Sequence, residues 1–377
     1  MRKLSFYALW LCMATSLSAH AQETTVVDGS SVFGDLTARQ IGPALMSGRV
    51  NDLEIHPTNN KIVYLGAGGG GVWKSNDGGA TFIPIFDDYI QSIGTVTLDP
   101  NDPDKTIYVG TGETWTRNSV SYGNGLYKTS DGGSNWQKIG LENSERIASI
   151  VVNPENSNEI YVAAMGALWG DNEERGVFKS NDGGQTWEKV LYVNPRTGCA
   201  DLLMDPRNPS VLYASMWEFR RTGWSFDSGG ENSALYKSID GGKTWDKIHN
   251  GFPEGKLGRM GIAIAKSNPD VLYTVIEAEQ KKDKGLYRSN DLGASWEQMN
   301  NDFEITVRPF YFSRLVVDPR NENVIYKGGL RGSVSKDGGK TFKGLGNMHS
   351  DVHDMVFSNM HSDIMFFATD GGVYRSW

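Results

Sequence analysis

Four carboxylates stand in glycine- or aromatic-rich strings: Glu113 in Gly110-Thr-Gly-Glu-Thr114, Glu218 in Trp217-Glu-Phe-Arg-Arg-Thr-Gly-Trp224, Asp351 in His349-Ser-Asp-Val-His-Asp354, and Asp370 in Thr369-Asp-Gly-Gly-Val-Tyr-Arg375. Two carboxylates flanking a glycosidic bond, about 5 Å or about 6.5–9.5 Å apart, cleave it by acid–base or nucleophilic chemistry. Spacing along the chain pairs none of the four, so Glu113, Asp370 and Asp351 are catalytic candidates without assigned partners. On an extended chain, alternation places His349, Asp351 and His353 on one face, a possible three-ligand set for zinc or a similar ion. The competing reading is a hydrogen-bonded loop that leads into a strand. No serine elbow and no phosphate-holding glycine loop before a helix is present, and no cofactor is expected.

Around these carboxylates the chain concentrates aromatic rings and arginines: Trp115, Arg117 and Tyr122, then Trp169, then Trp217, Arg220, Arg221 and Trp224, then Arg308 and Tyr311. Rings that stack on sugars, or anchor an extended peptide beside charge pairs, have this composition. The plainer alternative is that the tryptophans bury the loops against one another.

What must position these residues is a repeat. Six turns share a hydroxyl residue, Asp, glycines and a closing aromatic: Ser75–Phe82, Ser130–Trp136, Ser180–Trp187, Ser238–Trp245, Ser289–Trp296 and Ser335–Phe342. Their aspartates, Asp77, Asp131, Asp182, Asp240, Asp291 and Asp337, lie 54, 51, 58, 51 and 46 residues apart. A period near fifty with strand-like flanks predicts an all-β array of four-stranded sheets closed into a β-propeller. A short carboxylate can accept turn N–H groups and glycines supply positive φ, so the six aspartates read as structural. One carboxylate per turn supplies too few oxygens for calcium.

Each unit runs through strands A to D from the inside out, as in Ile93–Leu98, Thr106–Gly110, Gly125–Thr129 and Trp136–Ile139. Seven units are visible over 33–377, and the last lacks its D strand. The segment Leu36–Ile41 is expected to supply that strand, because an open sheet edge is a liability. The regular A–B and C–D turns share one face. The long B–C loops, with the aromatic residues and Glu113 and Glu218, share the other, where binding is expected. Glu113 and Asp370 come from blades two and seven, on either side of blade one, and can face each other across the channel mouth.

The turns resemble the Asp-box, or bacterial neuraminidase repeat, of sialidases, sortilin-type receptors and xyloglucan-degrading glycosidases. Gly110–Thr114, Gly123-Asn-Gly-Leu-Tyr-Lys128, Trp217–Trp224 and Arg308-Pro-Phe-Tyr-Phe-Ser-Arg314 are similar to large exported bacterial proteins of sortilin-like or BNR-repeat glycosyl-hydrolase type, over nearly all of 33–377. The resemblance implies a propeller that binds or cleaves glycans, or binds peptides. The xyloglucan-degrading pattern Thr-Asp-x-Gly-Gly-x-Tyr-Arg carries a catalytic Asp. Blade one has Ala67-Gly68 at that place, and blade seven has Thr369-Asp370. The sialidase Arg-Ile-Pro string has only Arg39-Gln-Ile-Gly-Pro43 as a counterpart.

Residues 1–21 read as a secretory signal peptide, with Arg2 and Lys3 before an apolar run and Ala19-His20-Ala21 as the cleavage pattern, and 22–32 as a linker. Without Arg2 and Lys3 the formal charge falls from −8 to −10, a balance that excludes a nucleic-acid partner. After the signal no apolar run is long enough to span a membrane. The expected location is secreted, periplasmic or cell-surface. Cys199 is then left without a disulfide partner, as a buried small residue. The function that fits best is binding of a glycan or a peptide or protein ligand. A glycoside hydrolase and a structural repeat domain of a larger secreted protein are the alternatives.

Overall fold

The repeat folds as its strand pattern predicts, each unit giving one antiparallel sheet whose apolar residues face the neighbouring sheets. The computed structural model describes residues 49–117, 120–361 and 363–376, all within one compact unit. The expected signal peptide at 1–21, the linker at 22–32, Leu36–Ile41, Arg39–Pro43 and Trp377 lie outside the described residues.

Blade one consists of Val50–Ile55, Val63–Ala67, Gly71–Ser75 and Ile83–Pro84, paired in that order. Blades two to six repeat the order, with A strands Ile93–Leu98, Ile147–Asn153, Thr197–Asp205, Leu257–Ile264 and Leu315–Asp318. In blade four the B strand is extended, Asn208–Arg221, and forms a hairpin with Phe226–Ser228. Blade seven has Val352–Phe357, Met365–Thr369 and Gly372–Arg375, and no fourth strand among the described residues. Every A strand packs against the A strands before and after it, and Val352–Phe357 meets Val50–Ile55. Seven blades thus close into a propeller around a ring of A strands, and the helix among the described residues is two short 3-10 turns, Lys281–Asp283 and Phe303–Thr306.

The Asp-box earns its repetition through hydrogen bonds inside a single turn. Asp182 Oδ1 accepts from the Ser180 hydroxyl at 2.7 Å and from the Thr186 N–H at 2.9 Å, while Oδ2 accepts from the Thr186 hydroxyl at 2.6 Å. The Ser180 hydroxyl in turn accepts the Gly184 N–H at 2.9 Å. Trp187 then crosses to blade two and donates its indole N–H to the Ile139 carbonyl at 2.7 Å. Two details depart from the sequence reading. In blade two the hydroxyl partner is Thr129, not Ser130, at 2.7 Å from Asp131. In blade five Leu292 takes the left-handed conformation (φ 59) that glycine holds in the other boxes.

These hydrogen bonds set an acid limit on stability. The carboxyls of Asp77, Asp131, Asp182, Asp240 and Asp337 are held down to about 2, first by the side chain four residues on and then by turn N–H groups and the hydroxyl two residues before. A carboxyl whose folded pKa lies below its unfolded value adds stability above that value and loses it as pH falls. The melting temperature is therefore expected to drop as pH is lowered from about 4 to about 2. Asp182→Asn should make that drop shallower in a pH series of melts, and an unchanged slope would refute the assignment.

Six A strands carry a register shift near their loop-face end: Val50/Asp52, Ile93/Thr95, Ile147/Ser149, Cys199/Asp201, Leu257/Met260 and Val352/Asp354. A bulge re-aims the side chains beside it. Here it turns one position per blade toward the next blade and the channel.

Candidate functional site

The corresponding position of each blade, which in blade six is the residue just before the A strand and has no bulge beside it, is occupied in chain order by Asp52, Thr95, Ser149, Asp201, Gly261, Arg314 and Asp354. Its carboxylates join blade to blade: Asp354 accepts the Leu53 N–H at 3.0 Å, Asp52 accepts the Val96 N–H at 2.7 Å, and Asp201 accepts the Ile262 N–H at 3.1 Å. Arg314 is the one cation of this ring and lies 3.0 Å from Asp354 and 3.8 Å from Asp52. Burial, then repulsion from Asp354, pushes the Asp52 carboxyl up to about 8 against the pull of Arg314. Burial raises Asp354 as well. This layer joins the ring together beneath the loop face.

Above it, the segment leading from blade five to blade six crosses the ring. Arg308 is in the left-handed region (φ 48), a conformation non-glycine residues rarely hold, and it redirects the chain into Phe310-Tyr311-Phe312. Phe310 packs edge-on against Phe226 of blade four, its carbonyl accepts from Arg259 of blade five at 3.0 Å and from Thr116 of the blade two loop at 3.2 Å. Tyr311 and Phe312 pack with Trp115 and with His353 of blade seven. A segment that touches blades two, four, five and seven at once covers the channel mouth. Arg259 is buried beneath it, 4.2 Å from the Trp115 ring centroid and 5.4 Å from that of Trp217, and burial lowers its pKa to about 9.

Beside this aromatic plug lies a charged centre. Arg49, just before the first A strand, is ion-paired with Glu113, and its guanidinium also feels Asp370. Glu113 is buried, which pushes its carboxyl up, while Arg49 pulls it back. Asp370 accepts from His353 Nε2 at 2.7 Å and from the Tyr311 hydroxyl at 3.4 Å. Burial acts to raise Asp370, but the His353 hydrogen bond and the charges of Arg49 and Arg117 outweigh it and hold it low. Burial lowers His353 against the pull of Asp370, and the 2.7 Å contact fixes the imidazole ring on the Asp370 carboxylate through Nε2. Glu113 and Asp370 are therefore brought to one centre, as expected from blades two and seven, but a guanidinium stands with them. Arg49 itself escaped the sequence reading. Its one signal is its place immediately before the first A strand. Gly68 also belongs to this centre, since a Cβ there would meet the Asn51 amide at 3.1 Å and Arg49 Cγ at 3.4 Å.

The aromatic candidates divide sharply. Trp115, Trp217 and Tyr311 are buried and form the packing of the plug and of the blade-four hairpin, where Trp217 stacks on Phe219 at 4.3 Å. They present no ring face to a ligand. Tyr122, Trp169 and Trp224 are 66%, 50% and 91% exposed. They emerge from the B–C loops of blades two, three and four, in that order. Arg220 ion-pairs with Asp171 and donates to the Trp169 carbonyl at 3.4 Å, and the Arg221 N–H donates to the Leu168 carbonyl at 3.0 Å. Arg221 also lies over the Phe226 ring. The two arginines thus fix the Trp224 hairpin to the Trp169 loop. Arg117 is half-buried near Glu113 and Asp370, and Arg308 lies over the Tyr311 ring at 5.0 Å. Glu218 lies away from this centre, in a cleft between blades four and five, where Asn232 donates to it through its backbone N–H at 3.2 Å and its amide at 3.0 Å.

The three-ligand expectation is corrected. Asp351 adopts φ 61, so the chain is not extended from His349 to His353 and alternation does not hold. His349 is exposed with Nδ1 2.8 Å from the Ser350 carbonyl, His353 is committed to Asp370, and among the described residues no three His, Cys, Asp or Glu gather as a metal site. Cys199 is buried, and burial pushes its thiol up.

The family model described as Sortilin-Vps10 (sortilin, neurotensin receptor 3) matches residues 124–284. The chain is 23% identical over 343 residues to the xyloglucanase Xgh74A of Acetivibrio thermocellus, covering 76% of this chain and 37% of that protein. It is 24% identical to a xyloglucanase of a Paenibacillus species, covering 90% of this chain and 35% of that protein. The chain therefore spans little more than a third of the length of these curated relatives. Among solved structures, the GH74 xyloglucanase of Xanthomonas campestris superposes with a TM-score of 0.63 at 16% identity, over 87% of this chain and 52% of that one. YCF48 bound to D1 peptide superposes with a TM-score of 0.57 at 16% identity, over 88% of this chain and 94% of that one. The chain is a β-propeller that is similar in part to the sortilin model and in fold to the xyloglucanase propellers, and no described helix is long and apolar enough to cross a membrane.

Proposed function

We propose that this protein is an exported propeller that binds an extended glycan along its loop face. The observation that carries the reading is the row of exposed rings, Tyr122, Trp169 and Trp224, one from each of three successive blades. Sugar rings have apolar faces that stack on such platforms, and successive platforms suit a chain better than a single sugar. The curated relatives support a glycan over other polymers, since the best-covered of them are xyloglucanases. A secreted, periplasmic or cell-surface location accords with that ligand.

Hydrolysis is the second reading, favoured by Asp370, which sits in the matching Thr-Asp-Gly-Gly string and is oriented by His353. Against it stands the engagement of Glu113 with Arg49, since a carboxylate held in an ion pair is a poor proton donor. The purified protein should bind immobilised xyloglucan or another β-glucan without releasing reducing ends. Trp224→Ala should weaken binding about tenfold with an unchanged melting temperature, the loss expected for one stacking platform. Reducing-end release abolished by Asp370→Asn would replace the binding reading with the hydrolytic one. Retention on a peptide array but on no glycan would replace the ligand class.

A further inference from the structure

A cleft of about 650 Å³ opens on the loop face between blades four and five, away from the charged centre. It lies within the size range of small-molecule sites, about 300–1,000 Å³. One wall is blade four, with Glu218, Asp227 and Ser228. The other is blade five, with Glu277 at the end of its B strand and Lys284 just before its C strand. The floor is glycine. Gly230 and Leu257 exchange backbone hydrogen bonds at 3.0 and 3.3 Å, closing the two blades together. A Cβ at Gly230 would lie 2.1 Å from a Glu218 carboxylate oxygen, and one at Gly258 would lie 2.1 Å from a Glu277 oxygen. Without side chains on the floor, both carboxylates have room in the cleft.

Each carboxylate is also held in place. Asn232 donates twice to Glu218, and the Ser228 hydroxyl donates to Glu277 at 2.9 Å. An ionised carboxylate has about four lone-pair sites, so each keeps acceptor capacity for a ligand. Burial raises the Glu277 carboxyl, and the Ser228 hydroxyl and the nearby Lys284 ammonium pull it back, Lys284 also adding a donor charge to the cleft. Acceptors on facing walls with an ammonium nearby are the complement of a sugar, whose adjacent hydroxyls donate and whose oxygens accept. The cleft is also continuous with the aromatic row: the hairpin whose turn, Thr222–Ser225, presents Trp224 lines the cleft with its return strand, Phe226–Ser228.

We infer that this cleft is a polar subsite that holds one sugar residue of the bound glycan through its hydroxyl groups, at the end of the row formed by Tyr122, Trp169 and Trp224. The inference rests on the glycan reading above. The stacked rings supply affinity for any β-glucan chain, and the cleft supplies discrimination, because a carboxylate left without its hydroxyl loses a charge-assisted hydrogen bond.

The test is calorimetric titration of the full chain with a xyloglucan oligosaccharide, comparing Glu218→Gln, Glu277→Gln and Trp224→Ala at matched melting temperature. Each carboxamide variant is expected to weaken binding about tenfold, since it converts one acceptor into a donor at a hydroxyl. Should Glu277→Gln fail to fold, Glu218→Gln and Lys284→Met carry the comparison. Binding weakened by Trp224→Ala but unchanged in the cleft variants would overturn the subsite and leave the aromatic row intact. No binding by the unaltered protein would overturn both.

Discussion

Arg314→Met is expected to lower folding stability by about 3–5 kcal/mol, the cost of removing one partner from a buried ion pair. The guanidinium serves Asp354 at 3.0 Å and Asp52 at 3.8 Å, and those carboxylates accept the backbone N–H groups that join blade seven to blade one and blade one to blade two. Without it, two neighbouring carboxyls face each other with no cation. Protonation relieves that repulsion, so the cost in urea melts should be larger at pH 8 than at pH 5. An equal cost at both values would mean that Arg314 acts through packing. The residue lies two positions after Phe312, so its loss should loosen the plug over the channel, read as faster amide exchange in Phe310–Phe312.

Raising the pH from about 4 to about 8 is expected to weaken the fold, by an amount on the order of a few kcal/mol. The cause is Asp52 and Glu54, both pushed up to about 8, by burial first and then by neighbouring carboxylates. A carboxyl with a folded pKa above its unfolded value binds more protons folded than unfolded. Its stabilising share is complete below the unfolded value and is lost as pH rises through the folded one. The Asp-boxes act in the opposite sense at lower pH, so stability should peak near pH 4. Asp52→Asn should flatten the fall above the peak and leave the acid limb unchanged. A fall of the same steepness in that variant would place its origin elsewhere in the ring.

The sequence reading reached the blades and placed Glu113 and Asp370 at one mouth, but not Arg49 or the division of the aromatic residues. Seven units, the A-to-D order and the structural role of Asp77, Asp131, Asp182, Asp240, Asp291 and Asp337 were all legible, because each box closes its hydrogen bonds within about four residues. Even there Ser130 stood in for Thr129, since either hydroxyl satisfies the pattern and only the turn geometry selects one. Composition could not sort the tryptophans. Trp217 and Trp224 are seven residues apart in one string, yet the first packs at the base of the hairpin and the second stands at its tip.

The sequence by itself determined the propeller, because a local motif repeated every fifty residues specifies its own turn wherever it occurs. Only the tertiary structure decided the centre: Arg49 between Glu113 and Asp370, the plug of Phe310, Tyr311 and Phe312, and the cleft that Glu218 and Glu277 share. Asp354 and Leu53 meet across 301 positions of chain, and Arg259 meets Thr114 across 145. No spacing encodes such meetings. Closing the ring brings the ends of all the A strands to one mouth, and bulges too small to read in the sequence decide which side chains point into it.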